Sequence, residues 1–172
     1  MPTTIFISYS HKDEQEKEAL LAHLGVLQRT GKITLWNDDQ IGAGEDWKRA
    51  IEQAIAQAKI AILLVTVNFL NSNFILEEEV PALLERRRKE GLIVLPVIAK
   101  ACAWQRVDWL AEINVRPKNG QPIWAENGRH IDEDLAALAE EVARIMEKGV
   151  EFSNSQLGQR FTSQPFLPDV PE

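Results

Sequence analysis

"KIAILLVTV", Lys59 to Val67, is an unbroken apolar run of a strand's length, and its reading decides the architecture. A strand with one wet face alternates apolar and polar residues, whereas one covered on both faces reads as a continuous run. The stretches on either side supply the cover. "WKRAIEQAIAQA" (47–58) before it sets Ile51, Ala54, Ile55 and Ala58 on one helical face, and "VPALLERRRKE" (80–90) after it is a second helix, ended by Gly91. A buried strand between two helices is the repeating unit of a parallel sheet.

The same alternation extends outward. "TIFISYS" (4–10) is a strand by its alternation and its β-branched and aromatic content. The helix after it repeats Ala19, Leu20, Leu24 and Leu27 at helical spacing and stops at Gly31. "ITLWND" (33–38) is a second strand and "DQIGAGED" (39–46) a glycine-bearing loop. "LIVLPVIA" (92–99) is a fourth strand, "CAWQRVDWLAEINVRP" (102–117) a short irregular helix, and "QPIW" (121–124) a fifth, edge strand. "DEDLAALAEEVARIMEKG" (132–149) closes the series as an amphipathic helix with Gly149 as its stop. Five alternations predict an α/β fold: a flavodoxin-like, open, doubly wound, five-stranded parallel sheet with helices on both faces. Residues 1–149 form one domain. Residues 150–172 have no periodicity and three prolines, which reads as a C-terminal linker or docking tail.

Composition excludes several classes. The 172 residues suffice for one domain with a core and are few for two. A net charge of −7 argues against a general nucleic-acid surface, and the one basic run, Arg86 to Lys89, falls near a helix C-terminus, where cations are favoured. No window approaches the roughly 18 apolar residues of a membrane span. "MPTTIFISYS" lacks the basic start and apolar stretch of a secretion signal, and the single Cys102 excludes an internal disulfide. Both point to the cytoplasm, without membrane or nucleic-acid partners. The three histidines, His11, His23 and His130, show no metal-ligand spacing, so no metal site is expected.

In a doubly wound sheet, ligands bind outside the C-terminal ends of the strands, where the strand order reverses. The first three strands end in "SYSHKDE", "WNDDQIGAGEDW" and "VNFLNSNFILEEE", which gather the polar, glycine-bearing and acidic residues. "GAGED" (42–46) lacks the lysine–serine pair of a phosphate loop. A phospho-acceptor receiver would need acidic groups at the end of the first strand, where "SYSHK" stands. The carboxylates Glu77, Glu78 and Glu79 remain. Pro81 is tolerated only in a first helical turn, which sets the triplet at or just before a helix N-terminus. There the dipole favours anions, and this alone would account for three carboxylates.

Three motifs in order carry a resemblance. "FISYSHKDE" resembles the first signature box of Toll/interleukin-1 receptor (TIR) domains, and "LWNDDQIGAGEDW" is similar to their second box. "NFLNSNFILEEEVPALL" resembles their third strand–helix region, where many members have Ser-x-Trp-x-x-x-Glu. The resemblance covers residues 4 to about 147 and has the style of bacterial members. It implies cleavage of the nicotinamide–ribose bond of NAD, by glycohydrolase or ADP-ribosyl cyclase chemistry, in immune signalling or abortive infection. NAD is then the substrate, with no further cofactor.

The family glutamate lies four residues after the aromatic position, so Phe74 selects Glu78 as the catalytic residue. The resemblance implies a substrate pocket of Tyr9, Ser10, Trp36, Asp38 and Phe74. It implies an assembly loop of Asp39, Ile41, Gly42 and Gly44 for homotypic TIR–TIR association, beside a possible fused or partner sensor domain. Phe74 replaces the commoner tryptophan, and Asn37 stands where aspartate is frequent. No arginine follows the first strand, which leaves phosphate contacts to Lys12 and backbone N–H groups of the first helix. A single carboxylate suits the chemistry. Nicotinamide leaves as a neutral molecule without protonation, and the ribose develops oxocarbenium charge that a fixed carboxylate stabilises. Some family members are adaptors that only assemble, and that is the alternative reading. Another N-glycosidic enzyme on the same sheet is a third.

Overall fold

A computed structural model describes residues 2–162, with side-chain surroundings described over residues 2–149. Four strands form its sheet: β1 (Thr3–Ser8), β2 (Ile33–Trp36), β3 (Ile60–Val65) and β4 (Ile93–Ile98). All pairings are parallel, in the order β2-β1-β3-β4. The chain therefore reverses direction across the sheet between β1 and β3, which creates a switch point at their C-terminal ends.

Period-two alternation divides the core between two faces. Ile5, Ile7, Ile62, Leu64 and Val97 face α1 (Glu14–Arg29) and α6 (Ile131–Thr162), where Leu20, Leu24, Leu135, Leu138 and Val142 meet them. Phe6, Leu63, Val65 and Ile98 face the other way. There they pack against α2 (Trp47–Gln57), the one-turn α3 (Val67–Leu70), α4 (Val80–Glu90) and α5 (Asp108–Ala111), through Ile51, Ile55, Phe69, Leu83 and Leu110. Every residue of β3 is buried, as the continuous apolar run requires. Burying each large aliphatic side chain contributes about 1.5–3 kcal/mol, so this central strand is a main source of stability.

Three features differ from the sequence expectation. The described residues contain four strands, not five. "QPIW" does reach the β4 edge, since the Ile123 and Trp124 N–H groups donate to Ile98 and Ala99 (3.0 and 2.9 Å). Arg116 forms one isolated bridge to Val97. Neither contact is continued by a following bridge, so no fifth strand forms there. Second, α6 runs to Thr162, past Gly149. Gly91 ends α4 in the left-handed region at φ 76°, whereas Gly149 is not among the glycines with positive φ and stays helical. The expected tail is thus helical over its first part; residues 163–172 lie outside the described residues.

The third difference concerns the glutamates. Residues 73–90 are helical without a break, so the triplet lies inside a helix rather than at its start. Ile75–Glu79 form a π-turn, closed by the Val80 N–H on the Ile75 carbonyl. Proline inside an α-helix clashes with the carbonyl four residues back and removes a hydrogen bond. The wider π-turn ends one residue before Pro81, which lets the helix accommodate it. Such a turn holds one residue more than an α turn.

The basic run is structural. Arg86 donates through Nη1 to the Ile55 and Ala58 carbonyls (2.7 and 2.5 Å) at the end of α2, while Arg88 and Lys89 pair with Glu85.

Candidate active site

A cleft of about 530 Å³ opens at the switch point, beyond the C-terminal end of β1. One wall is polar and follows β1: Tyr9, Ser10, His11 and Lys12, with Asp38 from the turn after β2. The cleft's apolar lining is Ile41, Trp47, Ile51, Phe74 and Ile75. Phe74 meets Trp47 edge to face, with ring centroids 5.1 Å apart. A wider groove of about 750 Å³ lies at the opposite end of the sheet, beside Thr3, Ile33 and Met146. Among the described residues, Lys32 and Glu147 are its only ionisable lining groups, so the switch-point cleft is the better candidate for chemistry.

Glu79 belongs to the cleft lining and Glu78 does not. The Glu78 side chain is 47% exposed and faces Lys48 at 3.7 Å. Glu79 is buried, and its Oε1 accepts a 2.6 Å hydrogen bond from the Ser8 hydroxyl on β1. The π-turn explains the exchange. In a regular helix the residue four after Phe74 shares its face; with one extra residue in the turn, the fifth takes that place. Burial raises the Glu79 carboxyl from 4.5 to about 7, against the Ser8 hydrogen bond and with help from the Asp38 charge. Desolvation disfavours the ionised form, as in other carboxyls tuned for work near neutral pH.

Of the residues singled out from sequence, Tyr9, Ser10, Asp38 and Phe74 line the cleft. Trp36 does not; it stacks on Phe6 at 5.2 Å, against the core. Ile41, assigned to the assembly loop, contributes to the apolar wall. His11, Trp47 and Glu79 are cleft residues that the sequence reading left out. Burial of the acid was legible only through Pro81, which a regular helix cannot hold at that point.

A charged network fixes the polar wall. Asn37, at the end of β2, accepts the Asp39 N–H (2.9 Å) and starts the 3-10 turn Asp38–Gln40. Lys17 of α1 is buried, yet its ammonium reaches Asp39 (2.5 Å), Glu18 (2.8 Å) and Glu14 (3.0 Å). Burial works against its charge, but these carboxylates outweigh that and raise its pKa. A buried charge needs such partners, because without them it would be left uncompensated. The Tyr9 hydroxyl donates to Glu14 (2.9 Å), and burial together with that bond raises the phenol's pKa. Asp13, at the head of α1, accepts from Thr66 (2.5 Å) and Asn68 (2.8 Å), which ties the end of β3 to the same rim.

The N–H groups of Lys12 and Asp13 are taken by Ser10, so the backbone here offers little to a phosphate. The Lys12 side chain makes no ion pair among the described residues and remains the available cation of the cleft. His11, Glu14 and Asp39 come together with ligand atoms within 4.8 Å. The Lys17 ammonium already sits on both of those carboxylates, which disfavours a metal ion.

The loop beyond Asp38 is exposed from Gly42 through Lys48. Its short hydrogen bonds are internal: Glu45 accepts the Gly42 N–H (2.6 Å), and Asp46 caps α2 through the Arg49 N–H (3.3 Å). Among the described residues, no helix is long and apolar enough to cross a membrane.

Comparison with known proteins places this geometry. The protein y4lF of Sinorhizobium fredii is 38% identical over 144 residues, covering 83% of this chain; the chain spans 43% of that relative's length. Among solved structures, the TIR domains of the activated Roq1 resistosome, which directly recognizes the pathogen effector XopQ, share the fold. Their TM-score is 0.50 at 19% identity, over 80% of this chain and 84% of that one. The profile of the TIR domain matches residues 5–144. A switch-point cleft on this parallel sheet, the three boxes around it and a profile match over most of its length all agree: the chain belongs to the TIR domain family.

Proposed function

We propose that the chain cleaves the nicotinamide–ribose bond of NAD, with Glu79 rather than Glu78 as the catalytic carboxylate. The observation that carries this reading is the burial of Glu79 at the switch-point cleft, held by Ser8 and lining the same cleft as Phe74 and Trp47. The cleft is two-sided in the way a nucleotide needs. Phe74 and Trp47 offer ring faces to a planar base, while Lys12 offers charge to a phosphate. Ionised Glu79 opposes the positive charge that develops on the ribose as neutral nicotinamide leaves, and no general acid is required. Water captures the cation in a glycohydrolase; a nitrogen of the substrate's own adenine does so in a cyclase.

The experiment is release of nicotinamide from NAD by the purified chain. Glu79→Gln should lower turnover on the order of a hundredfold or more, while Glu77→Gln and Glu78→Gln keep most of it. A dead Glu78→Gln beside an active Glu79→Gln overturns the assignment. No nicotinamide release by the unaltered chain, at high concentration and under crowding, overturns the enzyme.

Self-association through the loop from Asp39 to Asp46 belongs to the same proposal, since residues 42–46 are exposed and Glu45 hydrogen-bonds back onto Gly42. Such a domain would serve as the signalling or killing module of an immune system, in the cytoplasm. The adaptor reading keeps the loop and dispenses with Glu79, so the same assay separates the two.

A further inference from the structure

We infer that Asp38 selects the substrate's ribose by accepting a hydrogen bond from one of its hydroxyls, with His11 as the residue that positions it. The inference rests on the NAD-cleaving reading and adds to it a requirement for a ribo- rather than a deoxyribo-substrate.

The starting observation is an unmet hydrogen bond. Asp38 lines the cleft, and its Oδ1 is buried with no partner among the described residues. Its other oxygen, Oδ2, lies 2.7 Å from His11 Nε2. A buried acceptor without a donor is costly, and native folds rarely keep one without a use. Asp38 also raises the pKa of Glu79 by its charge, so the two carboxylates act on the same region of the cleft.

His11 explains how this carboxylate is held. Its Nδ1 faces Glu14 at 3.6 Å and its ring lies 5.3 Å from Tyr9. Desolvation lowers the pKa of the imidazole, but Asp38, Asp39 and Glu14 together outweigh it and raise it. The ring's contact occupies Oδ2 and leaves Oδ1 to a ligand. As the cleft stands, Oδ1 has no exposed surface. The His11 side chain is 64% exposed, so in this proposal the ring turns toward solvent, keeping Oδ2, as an entering ligand uncovers Oδ1.

The donor has to come from the substrate. Oδ1 is an acceptor only, so it suits a hydroxyl and not a phosphate or a carbonyl. Near a second carboxylate that faces the sugar, the hydroxyls of the nicotinamide-bearing ribose are the donors at hand. A site built to accept from a hydroxyl rejects the analogue that lacks it, because its own buried group is then left unpaired.

The test compares NAD with its 2′-deoxy and 3′-deoxy analogues on the nicotinamide side, following nicotinamide release. Dividing each variant's kcat/KM by that of the unaltered chain cancels the intrinsic reactivity of each analogue. Asp38→Ala should lower kcat/KM for NAD about tenfold or more and leave that for one deoxy analogue nearly unchanged. His11→Ala should move the same ratio in the same direction, and His11→Gln, which keeps a donor, should restore most of it. Because lost packing affects all substrates alike, it leaves the ratio untouched. Asp38→Leu, close in shape and without an acceptor, is the fallback if the alanine variant fails to fold. Equal losses on NAD and both analogues overturn this inference and leave NAD cleavage standing. An unaltered chain that releases no nicotinamide from NAD overturns both.

Discussion

Replacing Glu79 by glutamine should make the protein's stability less dependent on pH, in a direction that only a buried, functional acid predicts. The Glu79 pKa lies at about 7 in the folded chain and at the ordinary 4.5 when unfolded. Its folded-state value is raised, so its contribution to stability is fully present below 4.5 and is lost as pH rises through about 7. The interval is about 2.5 units, and each unit is 1.36 kcal/mol, giving about 3 kcal/mol between pH 4.5 and 8.

Glutamine keeps an acceptor for Ser8 but cannot ionise. Any fixed cost of burying its amide appears equally at both pH values and cancels in the difference. The assay is urea unfolding of both proteins from pH 4.5 to 8, taking the gap in unfolding free energy at each pH. The gap should move toward the variant by about 3 kcal/mol across that range. Other carboxylates titrate alike in both proteins and drop out. A gap that stays flat, or moves the other way, would mean that Glu79 ionises normally when folded, and the site assigned to it would be wrong.

Three further outcomes rest on the same geometry. Nicotinamide release should rise with pH through about 7, tracking ionisation of Glu79, and a midpoint near 4.5 would separate activity from this carboxyl. Ser8→Ala removes the hydrogen bond that opposes the rise, so it should shift that midpoint upward and cost about 1–2 kcal/mol in a denaturant titration. Deletion of residues 150–172 should leave the melting temperature nearly unchanged, because the buried side chains described on α6 are Leu135, Leu138 and Val142. A large drop in a thermal scan would mean that the later part of the helix packs on the domain.

The fold was legible where burial writes itself as pattern. The apolar run of β3, the helical faces of α2 and α6 and the stop at Gly91 are read directly from residue type and spacing. The fifth strand was not, because "QPIW" has a strand's composition while its pairing stops at two N–H contacts to the end of β4, and composition does not set the length of a pairing. Gly149 was misread for a related reason. Glycine permits a left-handed stop but does not impose one, and the helix can run on through it when the next residues sustain helical backbone. In the cleft, Tyr9, Ser10, Asp38 and Phe74 were found because strand ends on a parallel sheet have a fixed location. Trp36 failed on an odd–even count: it pairs with Phe6 across β1 and β2, and the two rings stack on the core side.

The glutamates are the instructive case, because the count that the resemblance implies selects Glu78, whereas one local geometry buries Glu79 and supports the proposal made for it. A rule that counts four residues from an aromatic assumes 100° per residue, and it holds only while the turn is α-helical. One additional residue between Phe74 and Pro81 breaks that assumption. The test combines a deletion with a substitution. Removing Glu77 leaves Phe74 and Glu79 four apart and lets the π-turn relax to an α turn, with both residues on the faces they now occupy. The domain should keep its melting temperature, or gain, and should still release nicotinamide if the proposed reaction is correct. Because the deletion leaves a glutamate four after Phe74 on either assignment, it is paired with Glu78→Gln. With Glu79 as the acid, Glu78→Gln should be active with and without the deletion. Were Glu78 the working acid in an ordinary helix, Glu78→Gln would be inactive, and removing Glu77 would restore activity by bringing Glu79 to the fourth position. That rescue would return the assignment to Glu78. Activity of Glu78→Gln without the deletion would support a site specified by the face of the helix on which a carboxylate is buried, and not by its count along the chain.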